Sequence, residues 1–386
     1  MIDYETVTAL IKSAIDGIPA VIPADFQLDE YLAFAKAQQI EVILIIGLHK
    51  SGFPVSRDVR NILLQSAMMS NKQINAAEEL YAIFEKNGID YMPLKGCLLK
   101  LMYPSAEMRS MGDIDVLVRM EQYEQIRSLL LSAGYIEGVE SDHEYIWDKN
   151  GIHIELHKRL IPSYNKDYYA YYGEGWQLAK HNAELNRYEM TPEDMFIYIF
   201  THYAKHYRDA GVGIRQALDL YVCRKTYPNL NEDYIHEKMC LLQLDRFYEN
   251  TMHMLDVWFK DATHTDASKL ISDRLFASGV FGSHDDSVIS TMLKQENSCG
   301  SVKKAKAHNW FRRIFPTFDS MCKKYPCLVK HPILLPFMWI ARFFNIIFHE
   351  RDQFGKCVRE DITASDESVD AYREILHKSG LDFNFK

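Results

Sequence analysis

Apolar residues recur along this chain at two different periods, and the change from one to the other divides it. From Thr6 to Asp16, Val7, Leu10, Ile11, Ala14 and Ile15 fall at helical spacing and make one stripe. Asp25 to Tyr31 reads as the start of a second helix, with Asp25 or Asp29 as its cap. Ile40 to Leu48 is apolar throughout. It continues the preceding pattern and ends near Gly52-Phe53-Pro54, so a buried helix is expected over a strand. Ser56 to Asn87 is a long helical stretch, with Leu63, Ala67, Ile74, Ala77, Tyr81 and Phe84 in phase and Gly88 ending it. Residues 1–88 are therefore expected to form a helical arm.

The period then shortens to two. Tyr91 to Leu94 is strand-like, Lys95-Gly96 reads as a turn, and Cys97 to Met102 as a short helix stopped by Pro104. After a polar turn over Arg109 to Gly112, residues 113–118 alternate as a strand. Met120 to Ala133 returns to helical spacing. Tyr145 to Trp147 and His153 to His157 read as two strands joined through Asn150-Gly151, a strong hairpin signal. Tyr164 to Gly175, rich in Tyr and Gly, reads as a loop near the site. Thr191-Pro192-Glu193-Asp194 opens a helix through His202 to about Tyr207. Tyr234 to Lys260 continues helical, with Leu241, Leu244, Phe247 and Met252 as core candidates.

The expected fold is α+β: a small mixed or antiparallel sheet over residues 89–190, an N-terminal helical arm, and a larger helical region over residues 191–386.

The alternation carries the chemistry. Strand side chains repeat every second residue, so Asp113 and Asp115 share a face while Ile114 and Val116 point the other way. Paired carboxylates repel unless a cation sits between them, and hard oxygen donors suit Mg²⁺ with substrate phosphates. Asp-x-Asp alone is common at solvated strand ends. Three neighbours add to it here. Gly96 allows close backbone approach, Lys95 and Arg109 supply positive charge, and Glu155 lies on a second alternating strand with His153 and His157 on its face. If that strand lies beside residues 113–118, three carboxylates converge, as a two-metal displacement requires.

This order of elements resembles the polymerase-β-type nucleotidyltransferase superfamily. More narrowly, Leu94-Lys95-Gly96, Tyr103-Pro104, Arg109, Asp113-Ile114-Asp115 and Ile154-Glu155-Leu156-His157 resemble a bacterial nucleotidyltransferase-like family of largely unassigned function. Abortive-infection nucleotidyltransferases have a similar Lys-Gly turn and Arg-containing approach. The resemblance implies transfer of a nucleotidyl group from an NTP to an unidentified acceptor: a small molecule, a sugar, an RNA end or a protein. It also implies Asp113, Asp115 and Glu155 as catalytic metal ligands, two Mg²⁺ ions with Mn²⁺ as the alternative, and Lys95, Gly96, Arg109 and Ser110 around the phosphates. The chain departs from the wider superfamily in having Cys97 after Gly96, and in a longer gap from Gly96 to Asp113. Cys97 keeps open a module that binds nucleotide without turnover.

Composition narrows the partners. Net charge is -9 and pI about 5.9, so duplex nucleic acid is not signalled. Seven cysteines without Cys-x-x-Cys spacing give neither a disulfide framework nor a zinc site, and the acidic N-terminus lacks a secretory pattern. A cytoplasmic location is expected. The segment 301–345 differs: nine Lys or Arg stand against one acid, Asp319. Next to it, residues 333–348 are apolar but too short to span a bilayer. A buried helix is the expected reading, with an anionic membrane surface as the other. His202 and His206, four apart on one helix, lack the zincin glutamate. Arg215 and Asp219 read as an ordinary surface pair. These four are expected to be structural first.

Overall fold

The computed structural model describes residues 2–279, parts of 289–349, and 366–382. Four helices come first: α1 (Tyr4–Asp16), α2 (Leu28–Ala37), α3 (Glu41–Lys50) and α4 (Arg57–Lys86). The carboxylate of Asp3 caps α1 by accepting from the Thr6 amide at 2.9 Å, and Ser56 caps α4 through the Val59 amide. The cap of α2 is Gln27, whose side chain makes no capping bond, and not Asp25 or Asp29. In α3, Val42 to Ile45 and Leu48 are all buried. Burial on every side explains why its sequence shows no stripe. A Cβ at Gly47 would stand 2.1 Å from the Leu10 carbonyl oxygen, so glycine is what lets α1 and α3 touch.

The chain then enters a five-stranded mixed sheet in the order β1-β2-β5-β4-β3. Its strands are β1 (Tyr91–Pro93), β2 (Asp113–Val118), β3 (Ile136–Glu140), β4 (Glu144–Lys149) and β5 (Ile152–His157), with α5 (Lys95–Lys100) after β1 and α6 (Tyr123–Ser132) after β2. β1 is antiparallel to β2, β2 parallel to β5, and β5, β4 and β3 antiparallel in turn. Asn150 and Gly151, at φ 53° and 73°, make the tight turn of the β4–β5 hairpin. Lys95 and Gly96 open α5 rather than forming a separate turn. The edge strand β3 was not anticipated from the sequence; all five of its residues are exposed, so it carries no alternation toward a core.

One face of the sheet is apolar. Ile114, Val116 and Val118 of β2 and Ile152, Ile154 and Leu156 of β5 pack with Ala77, Leu80 and Phe84 of α4 and Ile126 and Leu130 of α6. The other face carries the polar side chains. A helical series follows: α7 (Lys166–Tyr172), α8 (Pro192–Asp209), α9 (Ile214–Thr226), α10 (Glu232–Leu241), α11 (Asp245–Lys260) and α12 (Asp266–Ala277), of which α8 and α9 face those polar side chains. The expected loop over Tyr164 to Gly175 is thus largely the helix α7. Tyr168 and Tyr172, one turn apart, are buried, so those aromatics pack the core. The helical run beginning at Glu232 breaks where Gln243 takes φ 58°, and Leu241 is exposed rather than in the core.

Residues 1–207, 211–282 and 379–381 form one compact unit, which holds the sheet. In a second unit, α13 (Leu335–His349) is a helix, but the expected burial is overturned. Phe337, Ile340 and Phe343 are 63%, 55% and 52% exposed, and Ile333 just before it is 85% exposed. The helix α14 (Asp366–Ser379) closes the described chain. Among the described residues no helix is long and apolar enough to cross a membrane. Much of the basic segment 301–330 lies outside the described residues.

Phe84 is fully buried between α4 and the sheet. Phe84→Ala is expected to cost about 3–5 kcal/mol in urea unfolding; a loss under about 1 kcal/mol would contradict this placement of the core.

Candidate active site

β2 and β5 run parallel with Asp115 opposite Glu155 and Leu117 opposite His157. Cα partners on neighbouring strands point to the same face, so Asp113, Asp115, Glu155 and His157 all leave the sheet toward the helices. They line a cleft of about 390 Å³ whose far wall comes from His202 and His206 of α8 and Arg215 of α9.

Asp115 sits at the centre and is 2% exposed. Its Oδ1 lies 3.3 Å from Lys95 Nζ and 3.0 Å from His157 Nε2. The same His157 nitrogen is 3.5 Å from Glu155 Oε2. Burial alone would raise the Asp115 carboxyl, but Lys95 and His157 outweigh it and hold the group well below the usual range. Asp113 goes the other way. Burial, then the charges of Asp115 and Glu155, push it up to about 6 against the pull of Lys95. His157 is raised to about 9: burial opposes its charge, and the hydrogen bonds to Asp115 and Glu155 prevail. His202 is driven well below its usual value by burial and by Lys95, so it is neutral, 3.1 Å from His206 across their Nε2 atoms.

Gly96 is needed here for closeness and not for turn geometry. A Cβ there would come within 3.1 Å of the Asp113 carbonyl oxygen, of Asp115 Oδ2 and of the Met111 sulfur. Arg109 is held rather than free. Its Nε and Nη2 donate to the two carboxylate oxygens of Asp219 at 2.7 and 3.0 Å, and its Nη1 to the Gly96 carbonyl at 3.2 Å. Tyr103 Oη donates to Asp219 as well, at 2.9 Å. All three of these side chains are buried, so the clamp ties the approach to Asp113 onto α9. Asp219 therefore pairs with Arg109 and not with Arg215, whose Nη1 donates to Gln39 and to the Ser110 carbonyl. Ser110 is exposed, bonds Gln39, and does not line the cleft. Cys97 is buried against Met111 at 3.8 Å and does not line the cleft either.

The structure thus brings Lys95, Gly96, Arg109, Asp113, Asp115 and Glu155 to one cleft and leaves Ser110 outside it. Sequence reasoning gave no role to His157, although its spacing from Glu155 put it on the right face. It put structural roles first for His202 and His206, with a nucleotide contact as the alternative, and it had no signal for His143 and Glu144, which enter from β4 and the residue before it.

The donor set fits a hard divalent cation. One ligand atom each of Asp115, Glu155 and His157 lies within 4.8 Å of the others, and His143, Glu144 and His157 make a second such group. Asp113 is outside these groups but lines the same cleft, where the charges of Asp115 and Glu155 act on it. Burial first, and then the negative charge of Asp115 and Glu155, lifts Asp113, and a bound cation would offset both.

Residues 24–260 match a family model described as an uncharacterised nucleotidyltransferase. No curated protein matches. Among solved structures, the solution structure of the antibiotic-resistance factor ANT(2'')-Ia, which reports substrate-regulated conformation dynamics, matches at 10% identity. That match covers 49% of this chain and 97% of that one, with a TM-score of 0.34, too slight a likeness to bear on fold or substrate.

With its pKa raised, Asp113 gives the metal-free fold a contribution that is present at low pH and lost as pH rises through about 6. Asp113→Asn is expected to remove that loss, stabilising the metal-free protein relative to wild type by up to about 3 kcal/mol at pH 8 and by about half as much at pH 5. Urea unfolding at the two pH values measures this, and an equal difference at both would contradict it.

Proposed function

The chain belongs to the uncharacterised nucleotidyltransferase family, and we propose that it is a metal-dependent enzyme moving an NMP group from an NTP to an acceptor hydroxyl or phosphate. The observation that carries the reading is the convergence of Asp113, Asp115 and Glu155 on one cleft beside Lys95. Cationic residues face them from the far wall, where Lys205 and Arg215 lie. An acidic wall opposite a basic one matches a metal-bound triphosphate, whose cation side and phosphate side differ in charge.

Asp113, Asp115 and Glu155 would hold Mg²⁺, two ions in this reading, with Mn²⁺ as a substitute. Bound there, the ions supply charge neutralisation at the α-phosphate and lower the pKa of a hydroxyl. Lys95 keeps Asp115 ionised, and its side chain, 20% exposed, lines the cleft where the phosphates would lie. His157, charged at neutral pH, cannot serve as a base and instead orients Asp115 and Glu155. Glu155, the acid facing β2 from the neighbouring strand, accepts the acceptor's proton. The acceptor oxygen then bonds to the α-phosphorus, the bond from that phosphorus to the β-bridging oxygen breaks, and pyrophosphate leaves. Arg109 is a positioning residue, since Asp219 already neutralises it.

Cys97, on which the alternative of binding without turnover rested, is buried and does not line the cleft, which supports the reading as an enzyme. For the second unit we infer a separate partner: the exposed aromatic and aliphatic side chains of α13, beside a segment rich in Lys and Arg, suit an anionic membrane surface. Co-sedimentation with phosphatidylglycerol vesicles at low salt, relieved by high salt, is the expected behaviour; no binding at low salt would remove this partner.

Asp115→Asn is expected to lower pyrophosphate release by about a thousandfold or more, with the circular dichroism spectrum unchanged. The assay is a panel of NTPs with Mg²⁺ or Mn²⁺ and cell extract as acceptor source, followed by mass spectrometry of adducts. Wild-type rates in the variant would refute the assignment. Gly96→Ala is expected to keep the fold but weaken Mn²⁺ binding by about 10-fold to 100-fold, because its methyl presses on Asp115. Unaltered affinity in a Mn²⁺ titration would show that this contact is not limiting.

A further inference from the structure

Lys100, the last residue of α5, is the one amine of this region that is buried without a carboxylate. It is 2% exposed, and its hydrogen bond is to Ser70 Oγ of α4 at 3.1 Å. No ion pair reaches it among the described residues. An ammonium has three protons to place, and leaving two of them unmatched in a protein interior is costly. Burial, and after it the charge of Arg109, lower this amine to about 8, against weaker opposing effects of Cys97 and Glu107. It thus remains largely charged at neutral pH.

Lys100 lines a cavity of about 390 Å³ that is distinct from the catalytic cleft, between α2, α3, α4 and the turn before β2. Lys36 brings a second ammonium to its lining, and the hydroxyls of Ser66, Ser70 and Ser110 and the side-chain amides of Gln39 and Gln73 can each donate to a bound anion. Glu41 and Glu107 also line it. Their charges oppose a polyanion such as a triphosphate and leave room for one or two negative charges at Lys100. The size is that of a small-molecule site.

We propose that this cavity is a second binding site, for a small mono- or dianion bearing a carboxylate or a phosphate, with the Lys100 ammonium as its anchor. Arg109 and Met111 line both this cavity and the catalytic cleft, so an occupant would touch the segment that leads into Asp113. The proposal does not depend on nucleotidyl transfer.

The test uses the full chain at pH 7 with sodium acetate and inorganic phosphate as probes, and chloride at matched ionic strength as control. Isothermal titration should give saturable binding of at least one probe to wild type. Lys100→Met, which replaces the charge by an apolar chain of similar length, should weaken it at least tenfold, whereas Lys95→Met, which alters the catalytic cleft, should not. A second readout needs no variant: limiting acetic anhydride, followed by peptide mass spectrometry, should acetylate Lys100 several-fold more slowly when the binding probe is present. Protection by acetate alone assigns a carboxylate ligand, by phosphate alone a phosphate ligand, and by both an unselective small-anion site. Absence of protection by either probe, or equal affinity in Lys100→Met, overturns the proposal. So does loss of binding in Lys95→Met with none in Lys100→Met, which would place the anion in the catalytic cleft.

Discussion

A carboxylate with almost no access to water stays ionised only if cations stand close to it. Asp115 meets that condition through Lys95 and His157, and much else in the sheet unit follows from it. Lys95 must arrive from α5, so the helix has to begin immediately after β1. Gly96 must lack a side chain, because the helix start is pressed against Asp115 and the residues before it. His157 must lie two residues beyond Glu155 on the same face, which fixes the parallel register of β2 and β5. The buried clamp of Arg109, Asp219 and Tyr103 then ties the approach to β2 onto the helices that close the cleft.

The same arrangement separates the charges of the three acids. Asp115 is neutralised within the protein by Lys95 and His157, whereas Asp113 is not. A site built this way is electrostatically incomplete without a cation, and the cost appears on Asp113. The wall facing the acids carries Lys205 and Arg215 together with a neutral His202 bonded to His206. Charge of one sign on each side of a cleft orients a ligand that itself has two sides, and a metal-bound nucleoside triphosphate is such a ligand.

How legible this was in the sequence depended on range. Period-two alternation put Asp113 and Asp115 on one face and Asn150-Gly151 closed the hairpin, so the sheet and the three acids could be read from local signals. The helical character of residues 40–48 was legible for the same reason. The partner of Arg109 was not, because Asp219 lies 110 residues away and i,i+4 spacing pointed it toward Arg215 instead. Ser110 was misjudged because a polar residue beside Asp-x-Asp reads alike whether it turns into a cleft or out to solvent. The edge strand β3 carries no alternation, since none of its side chains is buried. The apolar run in α13 reads the same buried or exposed, because hydropathy does not say what covers a surface.

The account rests on Asp113, Asp115 and Glu155 sharing one cation site. Electron paramagnetic resonance of Mn²⁺, titrated into the full chain with a non-hydrolysable NTP analogue, tests this most directly. Bound Mn²⁺ should appear in wild type and fall at least tenfold in affinity in Glu155→Gln, whose fold should be intact. Equal Mn²⁺ binding by wild type and Glu155→Gln would contradict it.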